Sequence, residues 1–131
     1  MSATEWARVF SEAEQIGIAL MLLSGGEPLV RRDVLEEAAR HPAILFPVFS
    51  NGTMIDAGYL RLFDKNRNLL PVISIEGDAV QTDRRRGQGI YAQTMQALAE
   101  CKRRGILCGA SITVTQENFD TVTANDYMDD L

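Results

Sequence analysis

Residues 19–23, 44–49, 69–75 and 106–115 form four short runs rich in apolar and β-branched side chains, and each reads as a strand. Between them the apolar positions fall at helical spacing. Ahead of the first run, Trp6, Val9, Phe10, Ala13 and Ile16 share one helical face, with Thr4 as the expected N-cap and Gly17 as the stop. After Pro28 a second helix turns Val34, Leu35, Ala38 and Ala39 inward and Arg32, Glu36, Glu37 and Arg40 outward, until Pro42 ends it. Asp56 caps a third helix that buries Tyr59, Leu60 and Phe63, and Asn66 and Asn68 mark its exit turn. Residues 78–88 read as a polar loop. A fourth helix covers 90–104, with Tyr91, Met95, Leu98 and Ala99 on one face and Gly105 at the C′ position. Residues 123–126 open a fifth.

The order αβαβαβαβα, with strands that are nearly continuous in apolar residues, predicts an α/β fold. Its sheet is parallel, built from alternating βα units and covered by helices, in a single domain spanning 1–131. Pro47 and Pro71 are at odds with central strands, so both are expected near strand starts.

Composition narrows the function. The 131 residues are 46% apolar and 24% charged, enough for a core of useful size. A net charge of −5 argues against a nucleic-acid surface and against a membrane-surface role, and Arg84-Arg85-Arg86 is too short a basic cluster to change that. No apolar run approaches the ~20 residues of a membrane span. No basic segment followed by an apolar one stands at the N-terminus, so the cytoplasm is the expected location. Cys101 and Cys108 have no partner cluster and read as reduced thiols.

The candidate chemistry lies at the strand ends. The first run stops at Ser24-Gly25-Gly26-Glu27-Pro28, the second at Ser50-Asn51-Gly52-Thr53 and the third at Ser74-Ile75-Glu76-Gly77. Gly26, Gly52 and Gly77 are 26 and 25 residues apart, each two or three residues after a serine. In a parallel α/β sheet all strand C-termini share one edge, and ligands bind there. Glycines bring bare backbone N–H groups close to such a ligand, and Glu27 adds a carboxylate beside them. Each residue also has a local reading. Glu27 caps the following helix, Asn51 supplies a left-handed turn, Ser74 bonds its own backbone, and Glu76 is a solvated turn residue. Arg86 is a solvated loop charge like Arg84 and Arg85. His41 reads as a partner of a helix C-terminal dipole.

With these three endings in register, the chain resembles the radical S-adenosylmethionine (SAM) superfamily. It is similar to the partial (β/α)6 TIM-like barrel of that family from the first helix to the fifth strand. The resemblance implies that Gly25, Gly26, Glu27 and Pro28 contact the methionine amino group of SAM. It also implies that Ser50, Asn51 and Gly52 line the cofactor site, and that Ser74 and Glu76 end the strand that meets the ribose. Thr82-Asp83-Arg84-Arg85-Arg86-Gly87 stands where many members carry His-Asp-x-x-Arg-Gly, which implies that Arg86 reaches the SAM carboxylate while Thr82 replaces the histidine. Residues 113–118 resemble the fifth strand and its turn.

One departure limits the expectation. The family's Cys-x3-Cys-x2-Cys motif holds a 4Fe–4S cluster through thiolates and belongs upstream of the first helix. Cys101 and Cys108 match neither its spacing nor its place. The resemblance therefore implies an internal fragment of an iron–sulfur oxidoreductase, one that reductively cleaves SAM to a 5′-deoxyadenosyl radical for hydrogen abstraction. The fragment itself is expected to be inactive, with the cluster ligands outside it. The alternative is a small doubly wound binding or signalling domain with a metal held by Glu27, Glu76 and Asp78. Open sheet edges would invite homo-oligomers in either case.

Overall fold

The first helix starts two residues earlier than its pattern suggests. In the computed structural model, which describes residues 1–131, α1 spans Ala3–Gln15 and Ser2 is its N-cap. The Glu5 amide donates to Ser2 Oγ at 3.3 Å, and the Ser2 amide donates back to Glu5 Oε2 at 2.7 Å. This reciprocal capping box satisfies two helix-end donors at once, so Ser2 displaces Thr4 as the start. Ile16 is left as the exposed C-cap rather than part of the buried face, and Gly17 turns the chain at φ +83°.

A 3-10 turn at Pro28–Val30 leads into α2 (Arg32–Ala38). Then follow β1 (Phe46–Ser50), α3 (Ala57–Lys65), β2 (Leu69–Ile75), α4 (Ala79–Arg86), α5 (Ile90–Arg103) and β3 (Gly109–Ile112). Two short helices, α6 (Phe119–Val122) and α7 (Asn125–Asp130), close the chain. The sheet is parallel in the order β1-β2-β3, with Phe46 opposite Leu69 and Val72 opposite Gly109. This is the expected α/β architecture with parallel strands and alternating helices.

Residues 19–23 lie alongside β1 but touch it only through the bridges Leu20–Leu45 and Leu23–Val48. The cause is Pro47. The Leu45 amide donates to the Ala19 carbonyl, Met21 donates to Leu45, Leu23 donates to Pro47, and Phe49 donates to Leu23. The missing rung is the one from residue 47 to the Met21 carbonyl, because proline has no N–H. Pro71 acts the same way on the other side. The Asn68 carbonyl faces β1, where it accepts from Phe46, so the two-residue repeat turns residue 71 toward β3. Pairing with β3 accordingly begins only at Val72, and the expected fourth strand over 106–115 shrinks to four residues.

Residues 78–88 are mostly helix rather than loop. Asp78 caps α4 through the Gln81 amide at 2.9 Å, and Gln81 Oε1 accepts from the Asp78 amide at 3.2 Å. Gly87 ends the helix at φ +117°. On α5 the buried residues are Thr94, Ala97, Leu98 and Cys101, so the face is rotated from the expected one and Ala99 is exposed.

The core sits on one side of the sheet. Phe10 from α1, Val34 and Leu35 from α2, Tyr59 and Phe63 from α3, and Phe46, Val48 and Leu69 from the strands form one buried cluster. Phe10 meets Phe46 edge-on at 5.1 Å between ring centroids. His41 Nδ1 lies 2.9 Å from Glu14 Oε2 and joins α1 to the end of α2. From just past the C-terminal end of α2, its ring thus bonds a side chain on another helix. The strands alternate buried with half-buried positions, so one sheet face is covered by helices and the other is not.

Candidate functional site

Glu27 ties two strand ends together. Its Oε1 accepts from the Leu29 amide at 3.0 Å and from Ser50 Oγ at 2.9 Å, and its Oε2 accepts from the Asn51 amide at 2.9 Å. It therefore caps the short helical turn at Pro28 and also bridges to the end of β1. The capping reading holds, and the same carboxylate joins two strand ends. Ser50 is buried, and its hydroxyl also accepts from the Gly52 amide at 3.0 Å. Gly52, at φ +78°, makes the left-handed turn expected of Asn51, which instead folds its side chain onto Thr53. A Cβ at Gly52 would lie 2.9 Å from the Ile73 side chain, so the position is closed to other residues sterically as well as by backbone.

The Gly25 and Gly26 amides make no hydrogen bond within the chain, and a Cβ on either would meet nothing within 4 Å. Two free donors therefore stand in open space next to a carboxylate whose position is fixed from three directions. This is the geometry expected of a cradle for a ligand with both ammonium and carboxylate groups.

The third strand end forms a second cluster. Glu76 is buried, and its carboxylate is gripped by two arginines: Arg85 Nη1 at 3.0 Å, Arg86 Nε at 2.9 Å and Arg86 Nη2 at 2.5 Å. Neither Arg85 nor Arg86 is thus a solvated loop charge, and Arg86, which the resemblance directs to the SAM carboxylate, is paired with Glu76. The helical winding of α4 brings both back onto the acid. Thr82 is fully buried and clamps the strand end. Its hydroxyl accepts from the Glu76 amide at 3.2 Å and donates to the Gly77 carbonyl at 3.1 Å. Arg84 instead pairs with Glu117. Ser74 is half-buried on the uncovered face, and its hydroxyl bonds to no protein group.

Asn118 completes this cluster, and no site role was predicted for it. Its Nδ2 donates to the Glu76 carbonyl at 2.8 Å and to the Thr113 carbonyl at 2.9 Å, while Oδ1 accepts from the Thr115 amide. The only signal available was its place in the turn after the last strand. Together Glu76, Gln81, Arg84, Arg85 and residues 115–118 line a half-open cleft of about 620 Å³ with no apolar side chain in its wall. No hydrogen bond joins Arg86 to the Glu27 group. The site is therefore two adjacent clusters along one sheet edge.

Metal chemistry finds no support in these side chains. Glu27 is held by Ser50 and Asn51, Glu76 by arginines, and Asp78 is exposed and caps α4, so the three acids do not converge. No group of three or more His, Cys, Asp or Glu side chains is arranged to hold a metal ion. Cys101 and Cys108 are free thiols. Burial pushes the Cys101 thiol up to about 12 and raises Cys108 as well, the opposite of what cluster thiolates require. No helix is long and apolar enough to cross a membrane.

The same fold recurs in known proteins. Residues 1–124 match the family model of the Radical SAM superfamily. The chain is 27% identical over 127 residues to Fe-coproporphyrin III synthase of Methanosarcina barkeri, covering 95% of this chain and 32% of that protein. It is 31% identical over 122 residues to pre-heme d1 synthase of Dinoroseobacter shibae, covering 90% and 30%. It thus spans about a third of the length of these relatives. Among solved structures, Streptococcus suis SuiB bound to S-adenosylmethionine superposes with a TM-score of 0.82 at 18% identity, over 99% of this chain and 30% of that one. The anSMEcpe structure with bound AdoMet and the Cp18Cys peptide gives 0.70 at 19% identity, over 95% and 39%. A parallel sheet with polar, glycine-rich strand ends on one edge, matched by the family along all but its last seven residues, places the chain in the radical SAM superfamily.

Proposed function

We propose that the chain is the S-adenosylmethionine-binding part of a radical SAM oxidoreductase. The Glu27 clamp carries the reading. A carboxylate offers about four acceptor positions, and three are taken by Leu29, Ser50 and Asn51. The one left over suits the cofactor's amino group, and the free Gly25 and Gly26 amides suit its carboxylate. Pro28, Asn51 and Gly52 shape that wall, and the unpaired Ser74 hydroxyl is assigned to the ribose. Arg86, paired with Glu76 at the neighbouring strand end, is assigned to the carboxylate end, where its forked donors match the acid. When held at a 4Fe–4S cluster, SAM supplies a 5′-deoxyadenosyl radical for hydrogen abstraction.

The cluster itself does not fit the side chains of this chain, whose two thiols, Cys101 buried and Cys108 half-buried, are both held protonated by desolvation. We therefore assign the chain cofactor binding without cleavage, with turnover belonging to a longer parent protein. Free Cys101 and Cys108 support the reducing cytoplasm as its location. The net charge of −5 supports small-molecule rather than nucleic-acid partners. Open sheet edges support association with a further chain.

Titration calorimetry with SAM tests this. Saturable binding is expected, weakened by Glu27→Ala about tenfold or more, the ~1.4 kcal/mol scale of a charged hydrogen bond. No 5′-deoxyadenosine is expected after anaerobic incubation with iron, sulfide and reductant. Absence of SAM binding by the unmodified chain would contradict the proposal.

A further inference from the structure

Glu76 is the buried centre of the second cluster, 3% exposed. It is held at each of its polar groups. Its amide donates to Thr82 Oγ1, its carbonyl accepts from Asn118 Nδ2, and its two carboxylate oxygens accept from Arg85 and Arg86. An acid fixed at backbone and side chain together is a rigid support for whatever it binds.

Arg86 is held along one edge only. Both its Nε and its Nη2 donate to Glu76 Oε1. Nη1 bonds to no protein group, and it is not sealed inside, because Arg104 Nε is the one buried side-chain nitrogen or oxygen without a partner. The open end of the guanidinium, Nη1 with the second hydrogen of Nη2, is an edge that meets a carboxylate through two parallel bonds. Two arginines share the single Glu76 carboxylate, so the cluster keeps a positive charge for an anion. At its other end Arg86 is the last residue of α4, where the Gly87 amide donates to the Asp83 carbonyl at 2.9 Å.

We propose, resting on the SAM reading above, that Glu76 is a positioning residue: it grips the side edge of Arg86 so that the open end meets the carboxylate of SAM. The ion pair persists when the cofactor binds. Arg86 then makes both contacts at once, and the buried acid is never left short of a partner. Fastening α4 to the end of β2 requires one arginine, and Arg85 already supplies it. What the second arginine adds is a guanidinium with its geometry set in advance.

Calorimetric titration with SAM and with decarboxylated SAM tests this. Glu76→Gln should bind SAM about tenfold or more weakly, because an amide turns its own N–H groups toward an arginine. For decarboxylated SAM, which keeps the amino group and ribose, the variant and the wild type should agree within about twofold. In an Arg86→Ala background, Glu76→Gln should cause no further loss of SAM affinity. Equal losses for the two ligands, a loss that survives in Arg86→Ala, or tighter SAM binding by Glu76→Gln would overturn the positioning role and leave the SAM reading standing. No SAM binding by the wild type would overturn both. A measurement on the wild type alone needs no variant to fold: the 15N-detected Arg86 Nε–H should exchange slowly both free and with SAM bound. Its loss on adding SAM would show that Arg86 abandons Glu76, and would overturn the proposal.

Discussion

Thr82 is the residue on which the second cluster depends. Its buried hydroxyl serves the Glu76 amide and the Gly77 carbonyl together. Thr82→Val keeps the volume and strands both backbone groups, a loss of about 1–3 kcal/mol. A lowered urea midpoint is expected, and an unchanged one would show that the clamp is not needed. Asp83 gives a pH signature. Its carboxylate accepts from the Gly89 and Tyr91 amides, both at 2.8 Å, and these bonds, Tyr91 first, hold its pKa below the ordinary carboxylate range. A depressed folded pKa means stability that is present above the unfolded value and lost as pH falls through the folded one. The stability gap between the wild type and Asp83→Asn should be full at neutral pH and close on acidification below about pH 4. A gap independent of pH would contradict this. At this scale the capping role of Glu27 is legible in the sequence, because a carboxylate just before a proline that opens a helical turn is placed to take that turn's free amide. The Glu76 pairing with Arg85 and Arg86 was not. It depends on helical winding of α4, which returns residues nine and ten positions later to the same acid.

At the scale of elements, proline decides where the sheet stops. The run 19–23 has every local feature of a strand, yet Pro47 removes one rung of its ladder, and Pro71 delays pairing with β3 until Val72. Replacing Pro47 with Ala supplies an N–H aimed at the Met21 carbonyl. The new amide should exchange slowly, and rapid exchange would show that the missing rung has another cause. The change in overall stability should be small, because the added bond is offset by the greater freedom of the unfolded chain. The prolines were visible in the sequence, but the side of the strand each one faces depends on register, which needs the neighbouring strand. Helix α4 was missed for a local reason. Three arginines and a threonine mask a weak pattern, and the one sequence signal for its start is the Asp78-x-x-Gln81 capping box. Helices α1, α2 and α3 were legible because their apolar residues recur at helical spacing between clear start and stop residues.

For the whole molecule, the repeat of strand, polar ending and helix was enough to read a parallel α/β sheet and to align three strand ends on one edge. The sequence did not reveal that these ends divide into a Glu27 group and a Glu76 group, nor that one sheet face stays bare. Both follow from which helices cover the sheet, and helix placement is set by packing rather than by local pattern. The central claim is that SAM enters between the two groups with its amino acid end on the first. Amide shifts in an 15N-labelled chain titrated with SAM test it most directly. Shifts should concentrate at Gly25, Gly26, Glu27, Asn51 and Gly52, with a weaker set at Ser74 and Arg86. Shifts confined to residues outside both groups, or none at saturating SAM, would contradict the account.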